Sequence, residues 1–248
     1  MFPSWVRWVS LVWLAVWVPS YAVYWGWANF LHLCDVAVFL TCFGFAYNNA
    51  LLLSSQAVSS LVGDLLWCLD AGWRWFVGKH LTGGTEYMWD ARFPLWVRLL
   101  SLFHVVLPVL LLAALRRAGY DHRALRLQSC IAAALLVVSR FLGPTQNLNY
   151  AFADPIFHRA FGPAPVHLVL IFAALVGIIY WPTHLLLSWA FPPQWPRNFQ
   201  RKTMLQPSEG HLFAWMRSAG TSTSVTPRKE NKSFTRYMGG CSAVCFTM

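Results

Sequence analysis

Charge is what this sequence has least of: nine Asp and Glu in 248 residues, and 11% charged residues in all. Soluble domains carry about 25%, so an ordinary water-soluble fold is excluded. Disorder is excluded for most of the length as well, because 57% of the residues are hydrophobic, with 15 Trp and 18 Phe, and such a chain can offset its ordering entropy by burial. Closely repeated histidines of the His-x-x-Glu-His or His-x-x-x-His kind are missing too, so no metal site is expected and no cofactor is implied.

What is present is apolar length. A membrane-crossing helix needs roughly 20 mostly apolar residues, and uncharged stretches of that order recur along the chain. With Tyr47-Asn48-Asn49 as punctuation in the second stretch, they predict six helices near 5–24, 28–46, 51–69, 94–115, 126–142 and 166–190. The expected fold is all-α, a polytopic membrane helix bundle over residues 1–196. Five spans remain if the first helix is a cleaved signal peptide, for which Ser20-Tyr-Ala22 has the small-x-small form.

The net charge of +10 is unevenly placed. Arg197, Arg201, Lys202, Arg217, Arg228, Lys229, Lys232 and Arg236 against Glu209 and Glu230 put +6 of it after Pro196. Basic segments beside apolar spans mark the cytoplasmic face of a membrane protein better than they mark a phosphate-binding surface, so no nucleic-acid partner is expected. Six spans place Arg7, the Arg116-Arg117 to Arg126 loop and the basic tail on one side. The reading is a multi-pass protein of the cell membrane with a cytoplasmic N-terminus and tail. Trp25, Trp27, Trp73, Trp75, Trp89 and Trp96 then form an aromatic belt at the outer interface. The tail, 197–248, is rich in Ser, Thr and Lys and reads as a disordered cytoplasmic appendage. Its Cys245-Phe-Thr-Met248 ending has the form of a prenylation box, and Asn231-Lys-Ser233 has that of a glycosylation sequon.

Ionisable groups inside hydrocarbon are costly, so each one is a candidate functional residue. His32, Cys34 and Asp35 open the second helix, Asp64 lies in the third, His104 in the fourth and Arg140 near the end of the fifth, while His167 opens the sixth. Counted at about 1.5 Å per residue, Asp35, Asp64 and His104 fall in the same outer half. On a straight helix His32 and Asp35 share a face, and Cys34 lies about 200° round from His32. If Cys34 is a nucleophile, its base comes from another helix, His104 or His167. Asp35 is expected to orient His32 or His104, or to pair with Arg140, and Asn149 in an outer loop is a candidate oxyanion donor. His104, Asp64 and Arg140 also suit a plainer role as interhelical polar pairs. Cys34, Cys42, Cys68 and Cys130 suit packing, and Cys34 and Cys68 suit a disulfide if the outer side is oxidising. Two outer loops, 83–90 and 143–154, share a Gly-x-Thr opening, a Tyr and a closing Asp, the pattern of a faint internal repeat.

The segment His32-Leu-Cys-Asp-Val-Ala resembles the His-Leu-Cys-Asp-Leu-Ala stretch of an uncharacterised bacterial family of YwaF-like integral membrane proteins. The later order is similar: Phe93-Pro94, a helix with His104, Asn149-Tyr150-Ala-Phe152, then Gly162-Pro163-Ala-Pro165 before the last helix. The resemblance covers about residues 28–190. It departs around His104, where Phe103 and Val105 stand in place of the family's Ser and Gly. That family is distantly similar to animal multi-pass proteins that transfer acyl groups between membrane lipids through a cysteine centre. The likeness implies Cys34 as acyl acceptor and a phospholipid as substrate.

Three functions follow. A lipid-modifying enzyme of the outer half would use Cys34, His104, Asp35 and Asp64 as catalytic groups and His32, Arg140, Asn149 and His167 in binding. A proton-linked carrier would use Asp35, Asp64 and His104 as a relay with Arg140 as counter-ion. Against the carrier, the inner half is expected to hold few ionisable groups, with His184 the main exception. An accessory protein would need only its loops.

Overall fold

A computed structural model describes residues 2–145 and 147–192, all within one unit, Met1–Trp195. The basic tail expected over 197–248, with its Cys245 and Asn231 signatures, lies outside the described residues. The helices are α1 (Ser4–Tyr24), α2 (Leu33–Ala46), α3 (Ala50–Val77), α4 (Leu95–Leu100), α5 (Phe103–Ala118), α6 (Ala124–Phe141), α7 (Ala164–Ala174) and α8 (Trp181–Ala190). No strand occurs among the described residues. Five helical segments are long and apolar enough to cross a bilayer: Ser4–Tyr24, Ala50–Val77, Leu95–Ala118, Ala124–Phe141 and Ala164–Ala190. The protein is an all-helical membrane protein.

Connectivity gives the bundle two ends. One, here the loop end, carries the connections 25–32, 78–94 and 142–163; the far end carries 47–49 and 119–123. The expected second helix begins five residues late. Gly26, at φ +80, turns the chain into a 3-10 segment, Trp27–Leu31, and α2 starts only at Leu33. Its 14 residues reach about 21 Å, short of the ~30 Å hydrocarbon core. The start of α2 is therefore held by protein groups rather than by headgroup water.

At the far end α2 turns directly into α3. Asn48 takes positive φ, and the Asn49 side chain accepts the Leu52 N–H at 3.1 Å as an N-cap. Gly44 lets the two helices close on each other, since a Cβ there would meet Leu53 at 2.8 Å. At 28 residues α3 is longer than the predicted 51–69, running on to the left-handed Gly78. It packs against α2, α5, α6 and α8.

Asp70 explains the extension of α3. Its carboxylate accepts from the backbone N–H groups of Leu81, Thr82, Gly83 and Thr85 at 2.6–3.4 Å and from the Thr85 hydroxyl. The last turns of α3 thereby carry the following loop. The 143–154 loop is held differently, by Asn147 and by Asp154. Burial opposes ionisation of Asp154, but the N–H groups of Phe157, Arg159 and Ile156 together hold its carboxyl below the usual range. The first loop makes a 3-10 turn around Tyr87, whereas Asn149 and Tyr150 take positive φ, and the resemblance in their sequences extends neither to the backbone nor to how the loops are tied down.

The predicted 94–115 helix is broken at Ser101–Leu102 into α4 and α5. The Ser101 hydroxyl hydrogen-bonds Tyr21 Oη of α1 at 2.6 Å, tying the break to the first helix. Tyr21 and Trp17 belong to a ring of aromatics with Phe30, Phe39 and Phe103. Trp8, Val12 and Val16 on the other face of α1 are exposed and suit lipid. Loss of α1 as a signal peptide would open this aromatic core. Inside α5, Pro108 has no N–H to offer the His104 carbonyl one turn back, and the Cys68 thiol of α3 donates to that oxygen instead, at 3.7 Å. Cys34, Cys42, Cys68 and Cys130 are all free, so Cys34 and Cys68 form no disulfide. The last span contains a π-helical stretch, Leu175–Tyr180, just before Pro182. The proline withdraws an N–H from the ladder, and π turns of this kind recur at functional sites.

Candidate functional site

The loop-end half of the bundle holds a buried, hydrogen-bonded Asp–His couple. Asp64, on the inner face of α3, and His104, in the first turn of α5, meet with Nδ1 2.6 Å from Oδ1. The α4–α5 break places His104 where its ring stacks on Trp67, one turn after Asp64, with centroids 4.8 Å apart and 19° between planes. Phe103 covers it on another side at 4.1 Å. The Trp67 indole N–H donates to Tyr87 Oη at 3.0 Å, so the 86–89 turn closes over the couple. Burial pushes the Tyr87 hydroxyl above its ordinary range. Asp64 is 1% exposed and its second oxygen, Oδ2, has no hydrogen-bond partner from the protein.

Asp35 forms a second station. Its Oδ2 accepts from the Asn29 amide at 2.6 Å and its Oδ1 from the Cys34 thiol at 3.9 Å. Both donors are neutral. Arg140, expected as a partner for Asp35, instead donates to the Ala151 carbonyl at 3.2 Å and lies over the Phe152 ring at 4.1 Å, a cation–π contact that occupies its charge.

His32 is the N-cap of α2, with extended backbone (ψ 139) and no side-chain capping bond, and Asp35 takes Asn29 and Cys34 as partners in place of it. Cys34 donates to Asp35 alone, and no imidazole nitrogen of the described residues lies within hydrogen-bond distance of its sulfur. The structure therefore does not bring Cys34 into contact with His104 or His167. His167 is engaged elsewhere. Its Nδ1 accepts the Phe161 N–H at 3.2 Å, and Nε2, which must carry the proton, donates to the Tyr150 carbonyl at 3.0 Å. It latches the 143–163 loop to the start of α7.

Asn149 is spent in the same way. At φ +52, it accepts the Leu33 N–H with Oδ1 at 2.9 Å and donates to the Leu31 carbonyl at 2.7 Å and Ser139 Oγ at 3.0 Å. Both ends of the amide cap the buried start of α2, leaving none for an oxyanion. Asn149→Ala should lower stability by about 2 kcal/mol, measured by thermal unfolding in detergent. Its effect would come through α2 and not through an exposed reaction centre.

Sequence reading misses a second polar zone, toward the far end. Gln56 and Gln128 meet across α3 and α6, with Nε2 of Gln56 3.4 Å from Oε1 of Gln128. Gln128 in turn donates to Ser59 Oγ at 2.8 Å and Tyr180 Oη at 3.4 Å. One turn beyond Tyr180, His184 Nδ1 hydrogen-bonds Tyr120 Oη at 2.7 Å, and Ser188 Oγ approaches His122 Nδ1 at 3.3 Å. The available signal was the four-residue spacing of Gln56, Ser60 and Asp64 in a helix whose other polar residues, Ser54, Ser55 and Ser59, cluster beside them.

Among the described residues no three His, Cys, Asp or Glu side chains converge as a metal site would require. What the couple can do is handle protons. Asp64 fixes the ring through Nδ1, so exchange with anything else passes through Nε2 or through the free carboxylate oxygen. No family model matches the chain, and no curated protein or solved structure is significantly similar to it.

Proposed function

We propose that this protein is a proton-linked membrane carrier in which the Asp64–His104 couple is the proton-binding site and Asp35 a second protonatable station. The observation that carries this reading is the Asp64 carboxylate: one oxygen bound to His104, the other buried without a protein partner. Polar groups in the interior of a membrane bundle are costly, and where they persist they mark ion and proton paths. Toward the far end, where His184 is the main ionisable group, Gln56, Gln128 and Tyr180 add hydrogen-bonding groups that support a polar path. Arg7, Arg116, Arg117, Arg123 and Arg126 favour a cell-membrane orientation with the far end and both termini cytoplasmic.

A second reading, transfer of acyl groups between phospholipids through Cys34, is favoured by the resemblance around His32–Asp35 and by an aspartate-oriented histidine at the same end of the bundle. The lack of a contact between Cys34 and that histidine weighs against it.

The test is acid uptake by proteoliposomes under a pH gradient. Wild-type protein should acidify the lumen faster than protein-free vesicles, and Asp64→Asn should abolish the difference. Equal rates for the two proteins would remove the proposal.

A further inference from the structure

Three buried polar atoms stand in a row on α3: Gln56 Oε1, Ser60 Oγ and Asp64 Oδ2. All three residues are at most 4% exposed, and none of these atoms has a partner from the protein. They recur every fourth residue, so they share one side of the helix. Ser60 faces the Asp64 carboxylate from one turn earlier on the helix, so the two form the head of the row. A buried polar atom left unpaired costs about 1–3 kcal/mol, and interior polar atoms without protein partners are the usual hosts of internal water.

The spacing suits one water between Gln56 and Ser60, and one on Asp64 Oδ2. Four residues of helix rise about 6 Å, and two successive O–H···O hydrogen bonds of about 2.8 Å span nearly the same distance. The polar side chains on neighbouring helices continue the row. Gln56 reaches Gln128, which holds Tyr180 Oη. From Tyr180 the four-residue spacing passes to His184 on α8, whose ring lies 6.0 Å from that of His122, exposed at the far end; Ser188 Oγ, held on the His184 backbone carbonyl, meets His122 Nδ1 at 3.3 Å.

We propose that a row of internal waters along α3 and α8 connects the Asp64–His104 couple to the far end of the bundle and conducts protons between them. This inference rests on the proton-carrier reading for its purpose, but the water row has its own readout. In each hop a water or imidazole accepts one proton and gives up another, so one proton taken from Asp64 or His104 appears at His184 and leaves through His122, with no net charge left in the row. Ser60, Gln56, Gln128 and Tyr180 orient the waters and hold no charge themselves.

The row is tested by hydroxyl-radical footprinting of the full chain in lipid nanodiscs, where radicals form from water next to the side chain they modify. Tyr180 and Tyr21 have the same chemistry and are 1% and 4% exposed. Tyr21 has its hydroxyl on Ser101 and its ring among aromatics. If the row exists, Tyr180 is modified several-fold faster than Tyr21 despite its deeper burial. Gln128→Leu, and independently Ser60→Ala, lowers the Tyr180 rate toward that of Tyr21 and slows proton uptake, while Tyr21 stays protected as a sign of intact folding. Tyr180 modified no faster than Tyr21 in the wild type overturns the row, even if proton uptake is intact. Rapid Tyr180 modification without wild-type uptake upholds the row and removes the carrier reading.

Discussion

His104→Leu should lower the stability of the bundle by about 3–5 kcal/mol, the cost of leaving one partner of a buried pair uncompensated. In the wild type, Asp64 Oδ1 is on His104 Nδ1 at 2.6 Å and Oδ2 has no protein partner. Without the imidazole, Oδ1 loses its one protein partner, and water on Oδ2 satisfies only the other oxygen. Leucine fills part of the volume between Trp67 and Phe103, so the loss reports mainly the stranded carboxylate. The paired variant Asp64→Leu/His104→Leu removes the cause, and most of the stability should return, since a buried polar pair replaced by apolar residues of similar volume is often neutral or stabilising. Unfolding by denaturant in mixed micelles measures both. A single variant as stable as the wild type, or a double variant as unstable as the single one, would mean that the couple is not held as a buried pair.

Asp70→Ala is expected to be the second large loss, about 3 kcal/mol, because hydrogen bonds to a charged group contribute about 1.5–3 kcal/mol each and do not add fully. One carboxylate gathers the N–H groups of Leu81, Thr82, Gly83 and Thr85 with the Thr85 hydroxyl. Some of the freed N–H groups can turn to water at the membrane surface, which limits the cost. Hydrogen exchange should show the amides from Leu81 to Thr85 losing protection together. Tyr87, in the same loop, accepts from Trp67, so loosening the loop also uncovers His104. The control is Asp90→Ala. Arg92 beside it holds the Asp90 carboxyl below its usual range, but the pair is solvent-exposed and contributes little to stability. No change in unfolding is expected there.

The reach of sequence reading follows from what hydropathy and spacing encode. Long apolar runs locate the spans, because a bilayer admits only helices or barrels that satisfy their own backbone. Rare ionisable residues at a similar depth bring Asp64 and His104 to notice, and the structure places them in contact. Local geometry is less legible. The 3-10 segment before α2 depends on Gly26 at positive φ and on an amide from Asn149, more than a hundred residues away. Helical spacing therefore pairs Asp35 with His32, where the structure pairs it with Asn29. Arg140 is drawn to a carbonyl and an aromatic face, where spacing suggests a carboxylate. Hydropathy also passes over Ser and Gln, whose modest polarity dilutes in an apolar run, and so the row at 56, 60 and 64 is visible only once α5 and α6 are seen to cover it. Asp70 sits where a span was expected to end, and the Gly83-x-Thr85 pattern among its four backbone partners carries no sign of a carboxylate more than ten residues back.

The central claim is that the buried site moves protons and does not carry acyl groups. Wild type, Asp64→Asn and Cys34→Ala reconstituted in the same phospholipid vesicles, followed at once for acid uptake and for the acyl composition of the lipid, test it most directly. Uptake by the wild type and by Cys34→Ala but not by Asp64→Asn, with acyl composition unchanged in all three, is the expected result. Acyl exchange that disappears with Cys34→Ala, without Asp64-dependent uptake, would contradict it.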